Sequence, residues 1–424
     1  MLDRIGGPEG LLRGLFLRAV EVADPMRTLA AHLPPRPEGR VVVVGAGKAS
    51  ARMAEAVEAA WGPCEGLVIT RYGYARACRG IEIVEAAHPV PDAAGVAATR
   101  RMLGLLETLG EGDFVLALIS GGGSALLCAP AGGITLDEKQ ALTQALLASG
   151  APIGEINGIR KEISAVKGGR LAAAAYPARM LALLISDVPG DDPGDIASGP
   201  TVGHDGSAAR ALAALDRWGV TPPEAIRRFL AQGGDPVRPD DPRLSRVENV
   251  ICAAPAQSLE AAAALVRGAG IAVEMLGDAI EGEARVVAAD QARHALEVQA
   301  RLAPGDAPVL MLSGGELTVT RTGGGIGGPN AEFCLALALA LDGAPGIHAL
   351  ACDTDGVDGA AEVAGALVTP ETLDRARAAG LDAAAALEDN DAHGFFAAVD
   401  GQVITGPTLT NVNDFRAVLV QPRG

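Results

Sequence analysis

The chain has 424 residues, 49% of them hydrophobic but only 3% aromatic, and its 52 acidic against 35 basic side chains leave a net charge of −17. That length suits roughly two to three domains with cores of Ala, Val and Leu. A field this negative argues against nucleic acid or an anionic membrane as partner, so an anionic substrate needs a local positive patch. Cysteines 64, 78, 128, 252, 334 and 352 have no CxxC spacing, which indicates neither a zinc site nor a disulfide framework. No apolar run approaches a membrane span. Arg4, Arg13 and Arg18 interrupt the N-terminal apolar residues, and the expected location is cytoplasmic.

In chain order, residues 8–33 have helical periodicity and end at Pro34, Pro35 and Pro37. Residues 40–44 read as a strand that enters Gly45-Ala46-Gly47-Lys48-Ala49-Ser50. Strands at 66–70 and 81–86 precede the rigid loop His88-Pro-Val-Pro-Asp92, and a helix spans 93–109. Residues 114–120 form a mostly apolar strand with no polar alternation that breaks on Gly121, Gly122 and Gly123, then Ser124, before a helix. Glycines there leave bare N–H groups near a positive helix end, a natural anion site. A further strand at 180–186 leads to Asp187, Asp191, Asp192 and Asp195. Strands alternating with helices imply a parallel sheet covered on both faces. Residues 232–246 read as a linker, and strands at 247–253, 272–274, 309–313, 317–320 and 348–352 give a second α/β unit.

Several motifs carry chemistry. GAGKAS fails as a Walker A loop, since Ala49 follows the lysine. It is also degraded as a dinucleotide fingerprint, since Ser50 replaces the third glycine and the next strand runs out into Thr70-Arg71 rather than an acid. Lys48 at the tip of a βα turn nevertheless points toward the carboxyl ends of the strands, where α/β ligands sit. Asn157, Arg160, Lys161, Ser164 and Lys167 fall on one face of a helix at 100° per residue, with Ile159, Ile163 and Val166 opposite. This is a candidate anion stripe. Asp353, Asp355 and Asp358 follow the strand at 348–352; an EF-hand is excluded by Val357 and Ala364. Carboxylates at strand ends can hold Mg²⁺ while phosphates fill the other positions, or one can serve as a base. Ser313-Gly-Gly-Glu316, the glycine loop 323–332 and the polar stretch 405–414 complete the set, the last suiting a pocket wall. Among the histidines only His88 stands in a motif.

GAGKAS, HPVPD, LISGGGSALL, NGIRKEISAVKGGRLA, SDVPGDDPGDIASGPTV, LSGGELTVT, GGPNAEF, DTDGVDG and TGPTLTNVNDF together resemble the glycerate 2-kinase family with its C-terminal MOFRL domain. The motifs run in family order from about residue 41 to 415. The resemblance implies an α/β fold of two domains, a Rossmann-like parallel sheet covered by helices (1–240) and a smaller α/β domain (241–424) including the MOFRL region (about 305–415), with the active site in the interdomain cleft. It implies phosphorylation of D-glycerate at O2 by ATP and Mg²⁺, giving 2-phosphoglycerate, with small molecules as partners and room for a homodimer. Lys48 matches the family lysine of the GAGKA motif.

Roles follow by combining both readings. Lys48 stabilises the transferring group, while Gly45, Gly47, Ser120, Gly121, Gly122, Gly123 and Ser124 hold the nucleotide, with Glu316 and Asn330 beside it. Asp187 or Asp191, and Asp355 or Asp358, divide base and metal roles, with Asp187 and Asp355 as the catalytic choice and Asp191 and Asp358 as the metal choice. His88, Asn157, Arg160, Lys161 and Lys167 receive the acid. Many members carry Gly-Gly-Arg-Asn-Gln-Glu where this chain has Gly328-Pro329-Asn330-Ala331-Glu332, so the arginine's part passes to Arg160 or Arg321. The rival activities are an NAD(P)H-dependent hydroxypyruvate reductase, a label some relatives carry, with Arg71 toward the cofactor, and a kinase for another small hydroxy acid. A third alternative is a non-catalytic sensor.

Overall fold

A computed structural model describes residues 6–234, 236–359 and 361–423. The chain divides into two compact units, one of Pro25–Asp187 and Asp191–Cys252, the other of the chain through Asp24, Val188–Gly190 and everything from Ala253.

The first unit is built on six strands, β1 Val41–Ala46, β2 Glu65–Arg71, β3 Ile81–Ala86, β4 Phe114–Ile119, β5 Arg179–Ile185 and β6 Val247–Ala253, in the order β3-β2-β1-β4-β5-β6. The pairs β2–β3, β1–β2, β1–β4 and β4–β5 are parallel. β1 and β4 are buried at every position, as uninterrupted apolar strands in the middle of a covered parallel sheet must be. From β1 the chain moves outward through β2 and β3, then returns to place β4 on the other side. The direction of winding therefore reverses between β1 and β4, the point at which open α/β sheets bind ligands. Ala46 is level with Ile119, so the loops after both strands leave from one edge. Four helices, Leu136–Ala148, Ile153–Glu162, Ala208–Arg217 and Glu224–Ala231, share a satellite core around Leu142, Ile156, Ile159, Leu215 and Ile226.

The second unit holds β7 Ala272–Gly277, β9 Val309–Gly315, β11 Ile347–Asp353, β12 Gly365–Val368, β13 Gln402–Val403 and β14 Asp414–Val420, ordered β13-β12-β11-β14-β9-β7. Only β7–β9 is parallel; β9–β14, β14–β11, β11–β12 and β12–β13 are antiparallel. A separate two-stranded ribbon joins β8 Gly282–Glu283 to β10 Leu317–Thr318. The helix Gly7–Val22 presents Leu11, Leu12, Leu15 and Phe16 to Leu259, Leu310 and Phe415 of this unit, with Phe16 and Phe415 ring centroids 6.0 Å apart.

Two expectations change, and a third stretch gains a context. The strand expected to open the second domain is β6, hydrogen-bonded beside β5, so the units part at Cys252–Ala253 rather than at 240. The stretch expected as a linker, 232–246, lies inside the first unit and contains a helical turn, Pro242–Leu244, capped by Asp241. The polar run 405–414 leads straight into β14, which is central in its sheet and buried throughout.

Candidate active site

At the β1–β4 reversal the GAGKAS loop and the glycine turn are locked together. Gly47 N donates to Ile69 O (3.1 Å), Lys48 N to Gly121 O (2.8 Å) and Ser50 N to Gly47 O (3.2 Å). Ala49 N donates to the Ser120 hydroxyl (3.0 Å), which also contacts the Ser50 hydroxyl (3.1 Å). A Cβ at Gly45 would collide with Leu118 and one at Gly47 with Ser120. Gly45, Gly47 and Ser120, expected to hold nucleotide, are instead the close-packed joint between β1 and β4. The Gly47 amide and the Ser120 hydroxyl are already occupied, so this loop cannot cradle a pyrophosphate. Arg71, the reductase candidate, lies over the Tyr74 ring at 4.7 Å.

The glycine turn behaves differently. Among the described residues, the amides of Gly121 and Gly122 donate to no protein acceptor. The helix that follows, Gly123–Leu126, has only four residues, so the expected macrodipole contributes little and the free amides carry the argument. Gly122 has φ of 77°, the left-handed region that glycine adopts without strain. A Cβ there would stand 3.0 Å from His88 Nε2 and 3.1 Å from Lys48 Cγ. The turn therefore carries the Lys48 stem and the His88 ring directly over it. Ser124 Oγ meets Ser198 Oγ at 2.5 Å. Ala197 and Ser198 both adopt positive φ, 53° and 63°, strain of the kind that gathers at functional sites.

The cationic stripe is only partly helical. The helix Ile153–Glu162 carries Asn157, Arg160 and Lys161 and then stops, so Ser164 and Lys167 do not continue its face. Lys167 is fully buried, its ammonium donating to Ser124 O (2.8 Å) and Ala197 O (3.3 Å). Burial, with Arg160, Lys139 and Lys161 nearby, holds its pKa well below the usual lysine value. It is a brace under the glycine turn rather than a surface anion ligand. Arg160 Nη1 donates to Asn157 Oδ1 (3.3 Å), while its buried Nε has no partner. Lys161 is 3.8 Å from Asp195. The sequence reading missed Lys139, which is 2% exposed and shares this neighbourhood; it sits in a helix that carried no motif.

Next to the stripe, Glu162 is 1% exposed with neither carboxylate oxygen hydrogen-bonded, and His204 Nε2 lies 3.8 Å from Oε1. His204 Nδ1 accepts from Gly206 N (3.2 Å). Burial, aided by Arg170, Lys161 and Arg238, pulls the imidazole down to about 4, and burial pushes the Glu162 carboxyl up. His204 is thus neutral in the fold and protonates first in the unfolded chain. Its contribution is intact above the ordinary value of 6.5 and is lost as pH falls toward about 4. Wild type should lose roughly 2 kcal/mol relative to H204Q between pH 7 and pH 4. Denaturant melts across that range check this; parallel curves for the two proteins would mean the ring titrates as in water.

The carboxylates separate by unit. Asp187 and Asp191 follow β5 on the edge from which the β4 turn leaves, both half-buried, Asp191 at φ 55°. In the second unit Asp358 is a buried cap for the helix Pro329–Leu341. Its Oδ1 accepts from Asn330 N (3.0 Å) and Asn330 Nδ2 (3.3 Å), and its Oδ2 from Ala331 N (2.8 Å). His393 Nε2 stands 3.2 Å from the same Oδ2. The metal role expected of Asp358 and the nucleotide role expected of Asn330 give way to this network, because the Asp358 carboxylate and the Asn330 amide nitrogens are enclosed and engaged. Asn330 Nδ2 also donates to Asp414 Oδ1 (2.7 Å), and Arg416 donates to Asp414 Oδ2 (2.9 Å) and Gly314 O (2.6 Å). Asp355, expected as catalytic, is buried and accepts from Val357 N at 2.8 Å, the geometry of a turn carboxylate. Glu316 is exposed at the end of β9. Arg321 donates to Gly323 O and Gly325 O, holding its own loop. Among the described residues no group of three or more His, Cys, Asp or Glu could hold a metal ion, and no helix is long and apolar enough to cross a membrane. All six cysteines are free.

Two family models match the chain, "Domain of unknown function (DUF4147)" over residues 11–231 and the MOFRL family over 309–414. A relative named "Putative hydroxypyruvate reductase" from Agrobacterium vitis is 51% identical, over 97% of this chain and 94% of its own length. One named "D-glycerate 2-kinase" from Thermotoga maritima is 38% identical, over 94% of each chain. The crystal structure of a glycerate kinase from Thermotoga maritima superposes with a TM-score of 0.86 at 37% identity, covering 98% of this chain and 100% of that one. Both halves of the motif series and both α/β units are accounted for by these matches, and the chain belongs to the glycerate 2-kinase family, a DUF4147 domain followed by a MOFRL domain.

Proposed function

We propose that this protein phosphorylates D-glycerate at O2 with ATP, releasing 2-phosphoglycerate and ADP. The observation that carries the proposal is the meeting of Lys48 with the unoccupied amides of Gly121 and Gly122 at the β1–β4 reversal. Phosphoryl transfer demands little covalent chemistry; it demands positioning and neutralisation of charge spread over the transferring oxygens. Two free N–H groups on the glycine turn, with the side chain of Lys48 from the neighbouring loop packed over it, are suited to that. Lys167, beneath Ser124, keeps the turn rigid. Asp187, beyond β5 on the same sheet edge, is the carboxylate we assign to orient or deprotonate the O2 hydroxyl, with Asp191 beside it. Arg160 and Lys161 offer positive charge to the carboxylate of the acid. Mg²⁺ fits only as a companion of the nucleotide, because it needs few protein carboxylates when phosphates complete its shell; Asp187 or Asp191 would then contact it, and it would offset phosphate charge.

A coupled assay tests this directly. D-glycerate, ATP and Mg²⁺ are supplied, and product is read through enolase, which accepts 2-phosphoglycerate without a mutase. Signal that requires added mutase would mean phosphorylation at O3, and absence of ADP would end the kinase reading. The reductase reading has one observation in its favour, the strand order β3-β2-β1-β4-β5-β6, which is that of dinucleotide-binding sheets. The occupied amides of the GAGKAS loop oppose it. NADPH oxidation by the same preparation with hydroxypyruvate would reinstate it.

A further inference from the structure

A cavity of about 150 Å³ lies in the first unit between the His88–Asp92 loop and two helices. Pro89, Val90 and Pro91 form one wall; Lys139, Gln140 and Arg160 face them. The wall is fixed, since Gln140 Nε2 donates to Pro91 O at 2.6 Å. Lys139 is fixed as well. A capping box of Thr135 and Glu138 starts its helix, and Lys139 N bonds back to Thr135 O, which sets the side chain in the first turn.

The charges here do not balance. Lys139 is 2% exposed, and its ammonium has a single described partner, the Cys128 thiol at 3.1 Å, a weak acceptor. Arg160 keeps a buried Nε with no acceptor and makes no ion pair among the described residues. Two cations lining one cavity without a carboxylate between them is an expensive arrangement unless an anion completes it. In a chain of net charge −17 it is not an accident of a basic surface. The volume rules out a nucleotide, since pockets for molecules of that size are some 300–1,000 Å³, and admits a few-carbon acid. Pro89, which lines the cavity, directly follows His88, whose ring stands over Gly122 beside Lys48.

We propose that this cavity is the carboxylate subsite for a short hydroxy acid, with Lys139 and Arg160 as its paired cations and the Pro89–Pro91 wall limiting chain length. The identity of the acid rests on the kinase reading; the subsite itself does not. The test measures D-glycerate binding to the nucleotide-free protein by titration calorimetry, and KM for glycerate and for ATP, in wild type, K139M and K139R. K139M should weaken glycerate about 10- to 100-fold, the usual loss for a buried charged hydrogen bond, with KM for ATP within about twofold. K139R should recover most of it. If K139M does not fold, R160Q, at the half-buried rim, is read by the same two numbers. Unchanged glycerate affinity in a folded variant, or no glycerate binding to wild type, overturns the subsite. Glycerate that binds wild type and is lost in K139M, yet is never phosphorylated, supports the subsite and rejects the kinase.

Discussion

Lys48→Ala should lower turnover about 10³-fold or more while leaving the melting temperature nearly unchanged. The magnitude is that of removing one preorganised cation from a phosphoryl-transfer site. The stability should hold because the loop is kept by backbone bonds, Lys48 N to Gly121 O and Ala49 N to Ser120 Oγ, which alanine preserves. KM for the acid should move little, since the cations assigned to the carboxylate lie elsewhere. Initial rates at saturating ATP and glycerate, alongside a thermal melt, separate the outcomes. Near-normal turnover in the folded variant would remove Lys48 from the chemistry and leave Gly121 and Gly122 without their cation.

The largest stability effect should come from Arg416→Met. Arg416 is 1% exposed, donates to Asp414 and Gly314, and lies 5.9 Å from the Phe333 ring centre. Its removal strands a buried carboxylate that burial already pushes toward protonation, with Asp358 and Glu316 adding negative potential. Losing one partner of such a pair costs about 3–5 kcal/mol. The double variant D414N/R416M should recover most of that, because no charge is then left unpaired and the amide oxygen introduced at position 414 still accepts from Asn330. Denaturant midpoints of wild type, both single variants and the double give the cycle; additive losses would show that the two side chains do not act as a pair.

Much of the first unit was legible in the sequence because its determinants are local. Apolar runs such as 41–46 and 114–119 have nowhere to go but the middle of a covered sheet, and glycines mark where they stop. That Lys48 and the glycine turn both leave the carboxyl ends of their strands was readable from motif position; that the His88 ring joins them over Gly122 was not, because a histidine in a loop before a helix has no spacing that says where it packs. What could not be read were choices made by partners distant in sequence. Gly45 and Gly47 look like ligand glycines, yet the close approach of Leu118 and Ser120 explains them. Asp358 looks like a strand-end metal ligand, yet an uncapped helix 28 residues earlier claims it. The run 157–167 keeps helical spacing, but the helix ends at Glu162 and the chain turns to bury Lys167. Lys139 was missed because a single lysine in a helix has no pattern; only its enclosure distinguishes it.

The position of β14 bears on how the protein is made. It lies between β9 and β11, which therefore have no edge in common until residues 414–420 are inserted between them. The helix Gly7–Val22 covers a core that includes Phe415. Once it leaves the ribosome, this helix waits, with Leu11, Leu12, Leu15 and Phe16 uncovered, for a strand synthesised some 400 residues later. At about 5–20 residues per second, that interval lasts tens of seconds. The first unit can fold during it, but the second cannot close. Nascent chains stalled before residue 414 should therefore present an apolar helix to chaperones, and a deletion that removes β14 should be rescued by no amount of stabilisation elsewhere.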